Sequence, residues 1–437
     1  MHTRREFINK FFMSTGAALV VLNTDAFAKA AEAVSNIPAG TSAKEIASDE
    51  NFWGRIQSAF DVDRSIINLN NGGVSPSPKT VIDAFKRYID YSNQAPSYYM
   101  WRHVEPQMET VREKLARTFG CDKEEIAITR NASESLQIIQ QGMNLSAGDE
   151  VLTSTQDYPR MITTYNQLER RYGVKLVKVR YPAPLIDEDD YAAAFKNGIT
   201  SKTKAILVSH VCFLTGQILP VKKVSAIAHE HGIPVICDGA HSFSHIPYQL
   251  SDLDCDFFGT SLHKWTYAPI GTGMLFVKKD LIKNIWSLMA SPKEMDENIR
   301  KFEEIGTHPA ANHNAIAEAL AFNETIGIER KAERLRFLHK IWIEHVKEFN
   351  NVKFRTNIDD KTSWCGLVNF YIEGIDVTKT AEYLLNKHKI FVVPIIHEEF
   401  EGIRVTPNVY TLESEMKMFA DVLIPIAKGE VKEVFKS

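Results

Sequence analysis

The residues best suited to chemistry lie between Val235 and Val277. A short apolar run there reads as a buried strand and breaks at Asp238-Gly239. A second run, Phe257-Phe258-Gly259, leads to Ser261-Leu262-His263-Lys264, and the turn Gly271-Thr272-Gly273 feeds a third strand, Met274 to Val277. An acid at one strand's end and a lysine just past the next suit a pyridoxal phosphate site. That chemistry needs an amine for a Schiff base and a carboxylate facing the pyridine nitrogen, so that the ring draws electrons.

The elements that must position this pair follow from the pattern around it. Apolar runs at Glu125–Thr129, Glu150–Thr155, Lys175–Tyr181 and Lys204–His210 alternate with helical segments from about Ile67 to Val277. Such alternation predicts an α/β fold: a mostly parallel sheet with helices on both faces. Ligands of such sheets sit at the carboxyl ends of the strands, where Tyr158, Asp238 and Lys264 all fall. The predicted organisation is an arm over 29–66, a large domain over 67–310, a long connecting helix over 311–350 and a smaller α+β domain over 351–437. The segment Lys278–Glu294 also reads as helical.

Composition narrows the function classes. Of the 437 residues, 44% are hydrophobic and 24% charged, which is ordinary for a globular enzyme. The formal net charge of −4 offers no basic field for nucleic acid. The five cysteines are scattered, without CxxC or HExxH spacing, so they read as small buried hydrophobes and no metal site is predicted.

The N-terminus reads as a targeting segment. Arg4-Arg5 precede Phe7 and Lys10, an apolar run spans Phe11 to Leu22, and Ala26-Phe27-Ala28 suits a cleavage site. The run is too short for a stable membrane span. Thr3 to Lys10 resembles a twin-arginine signal, which implies export of the folded protein to the periplasm by the twin-arginine translocation machinery. A Sec signal or a membrane tether is the alternative.

Asp238-Gly239-Ala240-His241 followed by Ser261-Leu262-His263-Lys264, with Asp238 and Lys264 26 residues apart, resembles the signature of class V aminotransferases. That family includes cysteine desulfurases, kynureninases and isopenicillin N epimerase-like enzymes, and this chain looks closest to the last branch. The resemblance implies a fold type I large domain, built on a mostly parallel seven-stranded-type sheet, and assigns roles. Lys264 carries the cofactor, Asp238 keeps the pyridine nitrogen protonated and His241 bonds the ring's 3-oxygen. Tyr158 stacks on the ring, while Ala132 and Ser133 hold the phosphate with Ser261 and His263. Asn131 and Glu134 also form a helix-capping box by sequence, a reading compatible with phosphate capture. Arg404 pairs with the substrate α-carboxylate, or makes a surface salt bridge.

Three further positions carry two readings each. Asn71 lies in a stretch that approaches substrate in the family, or in a plain strand-to-helix turn. Arg102 meets a substrate carboxylate, or its aromatic loop packs a subunit interface. Thr307, in a Gly-Thr turn, reaches the phosphate of the neighbouring subunit in a homodimer with shared sites, or is an ordinary loop residue. Cysteine desulfurases place a nucleophilic cysteine shortly before the arginine, but Ile395 to Glu401 contains none. The expectation is an enzyme using pyridoxal phosphate on the α-amino group of an amino acid or peptide, by transamination or epimerisation. A C–S or C–C lyase is the alternative, and a non-catalytic binding protein of the same fold is a third.

Overall fold

A computed structural model describes residues 24–436; the twin-arginine motif at Arg4-Arg5 lies outside them. The described residues open with helices Thr24–Ser35, Ala43–Ile46 and Glu50–Gln57. Phe52 and Trp53 anchor them in a cluster with Tyr267, Phe322 and Tyr410. A two-residue strand, β1 (Ile67–Asn68), follows.

The central sheet then comprises β2 (Ile126–Thr129), β3 (Glu150–Ser154), β4 (Lys175–Val179), β5 (Thr203–Ser209), β6 (Val235–Asp238), β7 (Phe257–Ser261) and β8 (Gly273–Val277). Its order is β2-β8-β7-β6-β5-β3-β4. β8 alone runs antiparallel to both its neighbours. The predicted mostly parallel sheet is therefore present.

β5 and β7 are apolar on both faces because helices cover both. Phe257 and Leu207 enter one core, while Phe258 and Val208 enter the other, as the two-residue period of a strand requires. β4 lies at the edge and exposes Lys175 and Lys178, charges that discourage a further strand from pairing.

The smaller unit holds a four-stranded sheet, β12-β13-β10-β9, built from β9 (Val352–Phe354), β10 (Val368–Ile372), β12 (Val393–Ile396) and β13 (Glu401–Val405). Trp342, Phe370 and Phe419 fill its core. β1 pairs in parallel with β11 (Ile390–Phe391), so the chain enters the large unit through the small one.

Two predicted helices are corrected. Lys278–Glu294 forms only short 3₁₀ turns, at Lys279–Asn284 and Lys293–Met295, because the Trp286 amide is taken by the Gly142 carbonyl at 2.9 Å and Pro292 follows. The stretch from Ala310 is three helices, Ala310–Asn314, Ile316–Ile326 and Ile328–Val346. Gly327 adopts φ 84° between the last two, which no continuous helix accommodates. No helix among the described residues is long and apolar enough to cross a membrane.

Candidate active site

The carboxyl ends of β2, β3, β5, β6 and β7 meet the start of β8 around a cleft of about 450 Å³. Asp238 ends β6. Its Oδ1 accepts from the Ala240 amide at 2.9 Å, and burial pushes its carboxyl up to about 6. Gly239 is required next, since a Cβ there would lie 1.8 Å from Phe258 Cζ.

β7 ends at Ser261 and the chain turns through Lys264. The Leu262 amide donates to the Thr272 carbonyl at 2.9 Å, which ties this turn to the entry of β8. Lys264 Nζ lies 3.1 Å from His241 Nε2. Burial lowers the ammonium to about 8; Asp238 opposes that shift and Arg404 adds to it. His241 is held neutral by burial and by the cations Lys264 and Arg404. Its Nδ1 is buried without a partner among the described residues.

At the other end of the cleft the helix Ala132–Gly142 begins. Asn131 Oδ1 accepts from the Glu134 amide at 2.9 Å, but the Glu134 carboxylate turns to the Arg130 amide at 2.7 Å, so only half of the predicted capping box forms. The Ala132 amide donates to Ser261 Oγ at 2.9 Å. Ser133 lines the cleft with an amide that has no intrahelical partner at this end of the helix. His263 closes this side, with Nδ1 3.2 Å from the Thr272 carbonyl, and burial lowers its imidazole to about 4. A first-turn amide with its dipole and a serine hydroxyl make an anion cradle, and His263, whose Nδ1–H faces the Thr272 carbonyl, adds a donor to it only when the ring is protonated.

Arg404 enters from β13. Nη1 donates to the Phe213 carbonyl at 2.9 Å and Nη2 to Asn70 Oδ1 at 3.1 Å, while Nε is buried without a partner among the described residues. Burial lowers the guanidinium to about 10, so it stays charged at neutral pH. Tyr158 caps the helix Pro159–Tyr172, with proline at the first helical position, and its ring meets Phe213 edge-to-face at 5.3 Å.

Three predicted residues stand apart from this cleft. Asn71 is fully buried and its amide group is occupied: Nδ2 donates to Asn68 O (2.8 Å) and Thr406 O (2.9 Å), and Oδ1 accepts from Tyr410 Oη (2.6 Å). It is a scaffold residue. Arg102 is exposed and lies over the Tyr98 ring at 5.8 Å, outside the cleft. Thr307 sits on an exposed turn, also outside this chain's cleft.

Conversely, sequence reasoning passed over Asn70, Asp157 and Arg160. Strand alternation was the available signal for Asn70, since Ile67 and Leu69 face the core. Asp157 is buried behind the site and accepts from Thr153 Oγ1, the Ser154 amide, Ser154 Oγ and Ser209 Oγ at 2.7–2.8 Å. Arg160 is a further cation on the cleft wall.

The residues fit pyridoxal phosphate. The cleft offers an amine with a lowered pKa, a carboxylate at a strand end, an anion cradle and an orphaned imidazole nitrogen, within a volume typical of cofactor sites.

The comparisons agree with that fit. The chain is 25% identical over 391 residues to isopenicillin N epimerase of Streptomyces clavuligerus, covering 85% of this chain and 97% of that protein. It is 26% identical over 331 residues to a cysteine desulfurase of Haloferax volcanii, covering 71% and 75%. Among solved structures, the apo cysteine desulfurase of Thermococcus onnurineus NA1 superposes with TM-score 0.75 at 22% identity, covering 86% of this chain and 98% of that one. A structure of the cystine C–S lyase C-DES gives TM-score 0.72 at 22% identity, covering 83% and 97%. The family described as aminotransferase class-V matches residues 67–393, from β1 to the first residue of β12, and the chain belongs to that family.

Proposed function

We propose that the protein acts on the α-amino group of an amino acid or an amino-terminal peptide, by transamination or epimerisation. The observation that carries the proposal is one cleft that holds Lys264, Asp238 and the buried, charged Arg404 but no thiol. Bound pyridoxal phosphate supplies an electron sink that stabilises negative charge at the carbon next to the substrate nitrogen.

The chain's own residues do the rest. Asp238 would pair with the ring nitrogen, the Ser133 amide and Ser261 would hold the phosphate, and His263 would join them once protonated. Arg404 orients the α-carboxylate, for which a planar guanidinium with a free N–H is suited. Lys264, neutral above a pH of about 8, removes the α-proton and returns one, with His241 Nε2 within hydrogen-bond reach of its amine.

Elimination of a β-substituent is the second reading, because the same proton abstraction serves it and the relatives include desulfurases. None of the five cysteines lines the cleft, so a protein thiol as sulfur acceptor has no support. The test incubates holoenzyme with a panel of amino acids, with and without a keto acid. A keto-acid-dependent product means transfer, an inverted α-carbon means epimerisation, and released sulfide or ammonia with a keto acid product means elimination. No turnover of any amine would overturn the proposal.

Two further parts of the proposal concern the cell and the assembly. Folded export to the periplasm rests on Arg4-Arg5, and substituting both by lysine should retain the protein in the cytoplasm. A homodimer in which Thr307 serves the neighbouring site rests on family resemblance and on the exposure of that turn. A monomeric mass at micromolar concentration with full cofactor retention would rule it out.

A further inference from the structure

The hairpin between β12 and β13, where desulfurases place their cysteine loop, makes a different connection here. Glu399 is mostly buried; its Oε1 accepts from Thr155 Oγ1 at 2.7 Å and its Oε2 from Gln156 Nε2 at 3.1 Å. His397 Nε2 lies 3.0 Å from the Thr155 carbonyl. Arg180 adds ion pairs to Glu398 at 3.0 Å and Glu399 at 3.4 Å, but its side chain is 69% exposed, so solvent screens both. The hydrogen bonds to Thr155 and Gln156 therefore carry the contact.

Those two residues immediately precede Asp157 and Tyr158. The contacts close a circuit: Glu399 to the Thr155–Gln156 loop, Tyr158 to Phe213 at 5.3 Å, the Phe213 carbonyl to Arg404 Nη1 at 2.9 Å, and Arg404 back along β13 to the hairpin. We infer that Glu399 is a positioning residue: it ties the small domain to the Tyr158 loop and so sets the distance between the ring-facing aromatic and the carboxylate-binding arginine. This rests on the reading of Arg404 given under Proposed function.

The test compares Glu399→Ala and Glu399→Gln in the full-length holoenzyme. A glutamine accepts from Gln156 Nε2 through its oxygen and donates to Thr155 Oγ1 through its nitrogen, since a hydroxyl takes either role. Glu399→Ala should raise KM for an α-carboxylate substrate about tenfold, the lower end of the scale of a lost hydrogen bond to a charged group. Glu399→Gln should restore KM to within about threefold of the parent. In an Arg404→Ala background Glu399→Ala should add nothing further to KM. Amide hydrogen exchange in the protein without substrate should rise at 155–158 in Glu399→Ala, while 238–241 stays protected.

Unchanged exchange at 155–158, or a KM effect that persists at full size in the Arg404→Ala background, would overturn the tether. If Arg404→Ala alone leaves KM unchanged, the carboxylate assignment fails instead, and the exchange measurement still decides whether the tether exists.

Discussion

Lys264 Nζ and His241 Nε2 lie 3.1 Å apart inside the cleft; His241 is buried and Lys264 partly so. A neutral imidazole beside a lysine of lowered pKa gives the amine a partner that does not repel its charged form. Burial is what lowers the ammonium, and the free amine predominates above about pH 8.

Lys264→Ala should lower turnover by at least ~10²–10⁴-fold, the range of a lost general base, while leaving the far-ultraviolet spectrum intact. The visible absorbance band of the holoenzyme should shift or vanish. Full activity in this variant would remove Lys264 from the mechanism.

Asp238 predicts a pH-dependent trade between stability and cofactor binding. Its carboxyl rises from an ordinary 3.8 to about 6 on folding, so burial opposes its ionised form. The penalty is absent below about pH 4, grows as pH rises, and is complete above about pH 6. A shift of about two units corresponds to ~3 kcal/mol. Asp238→Asn should therefore stabilise the cofactor-free protein more at pH 8 than at pH 5, in chemical denaturation, while weakening pyridoxal phosphate binding. Equal stabilisation at both pH values would contradict the assignment.

Arg404→Ala should raise KM for α-carboxylate substrates roughly 10–100-fold, since a hydrogen bond to a charged group contributes about 1.5–3 kcal/mol. Asn70→Ala should give a smaller rise, because it frees only the Nη2 contact. Steady-state kinetics against a substrate and its decarboxylated amine separate the two, and an arginine variant with unchanged KM would exclude a carboxylate contact.

Gly239→Ala should destabilise the fold by ~1–3 kcal/mol, the usual cost of overpacking, and weaken cofactor binding through the adjacent Asp238. Combining it with Phe258→Leu removes the ring atoms that a Cβ would strike. Recovery of the denaturation midpoint in the double variant is the check.

Much of the large sheet was legible because its strands are continuous apolar runs punctuated by glycine, and Asp238 and Lys264 mark where two of them end. Asn70 was not legible as the partner of Arg404, since the isolated bridge from Asn70 to Thr406 depends on residues more than three hundred positions away. Asn71 looked equally polar, but Tyr410 and Thr406 enclose it. The break at Gly327 was hidden by the strong helical pattern on both sides. The role proposed for Thr307 concerns a second chain, and a single sequence holds no geometry between copies. Glu399 carried no motif, because its role depends on where a hairpin lands.

The lone antiparallel strand has a temporal consequence. β2 cannot complete its pairing until β8 exists, and Gly273 borders Asn131 so closely that a Cβ would sit 2.6 Å from that backbone nitrogen. On the ribosome, the nest for the coenzyme's charged tail thus stays half-made while the intervening strands emerge, and β1 waits longer still for β11. Coenzyme capture becomes a late event of biosynthesis, and nascent chains halted before Val277 should emerge without vitamin B6.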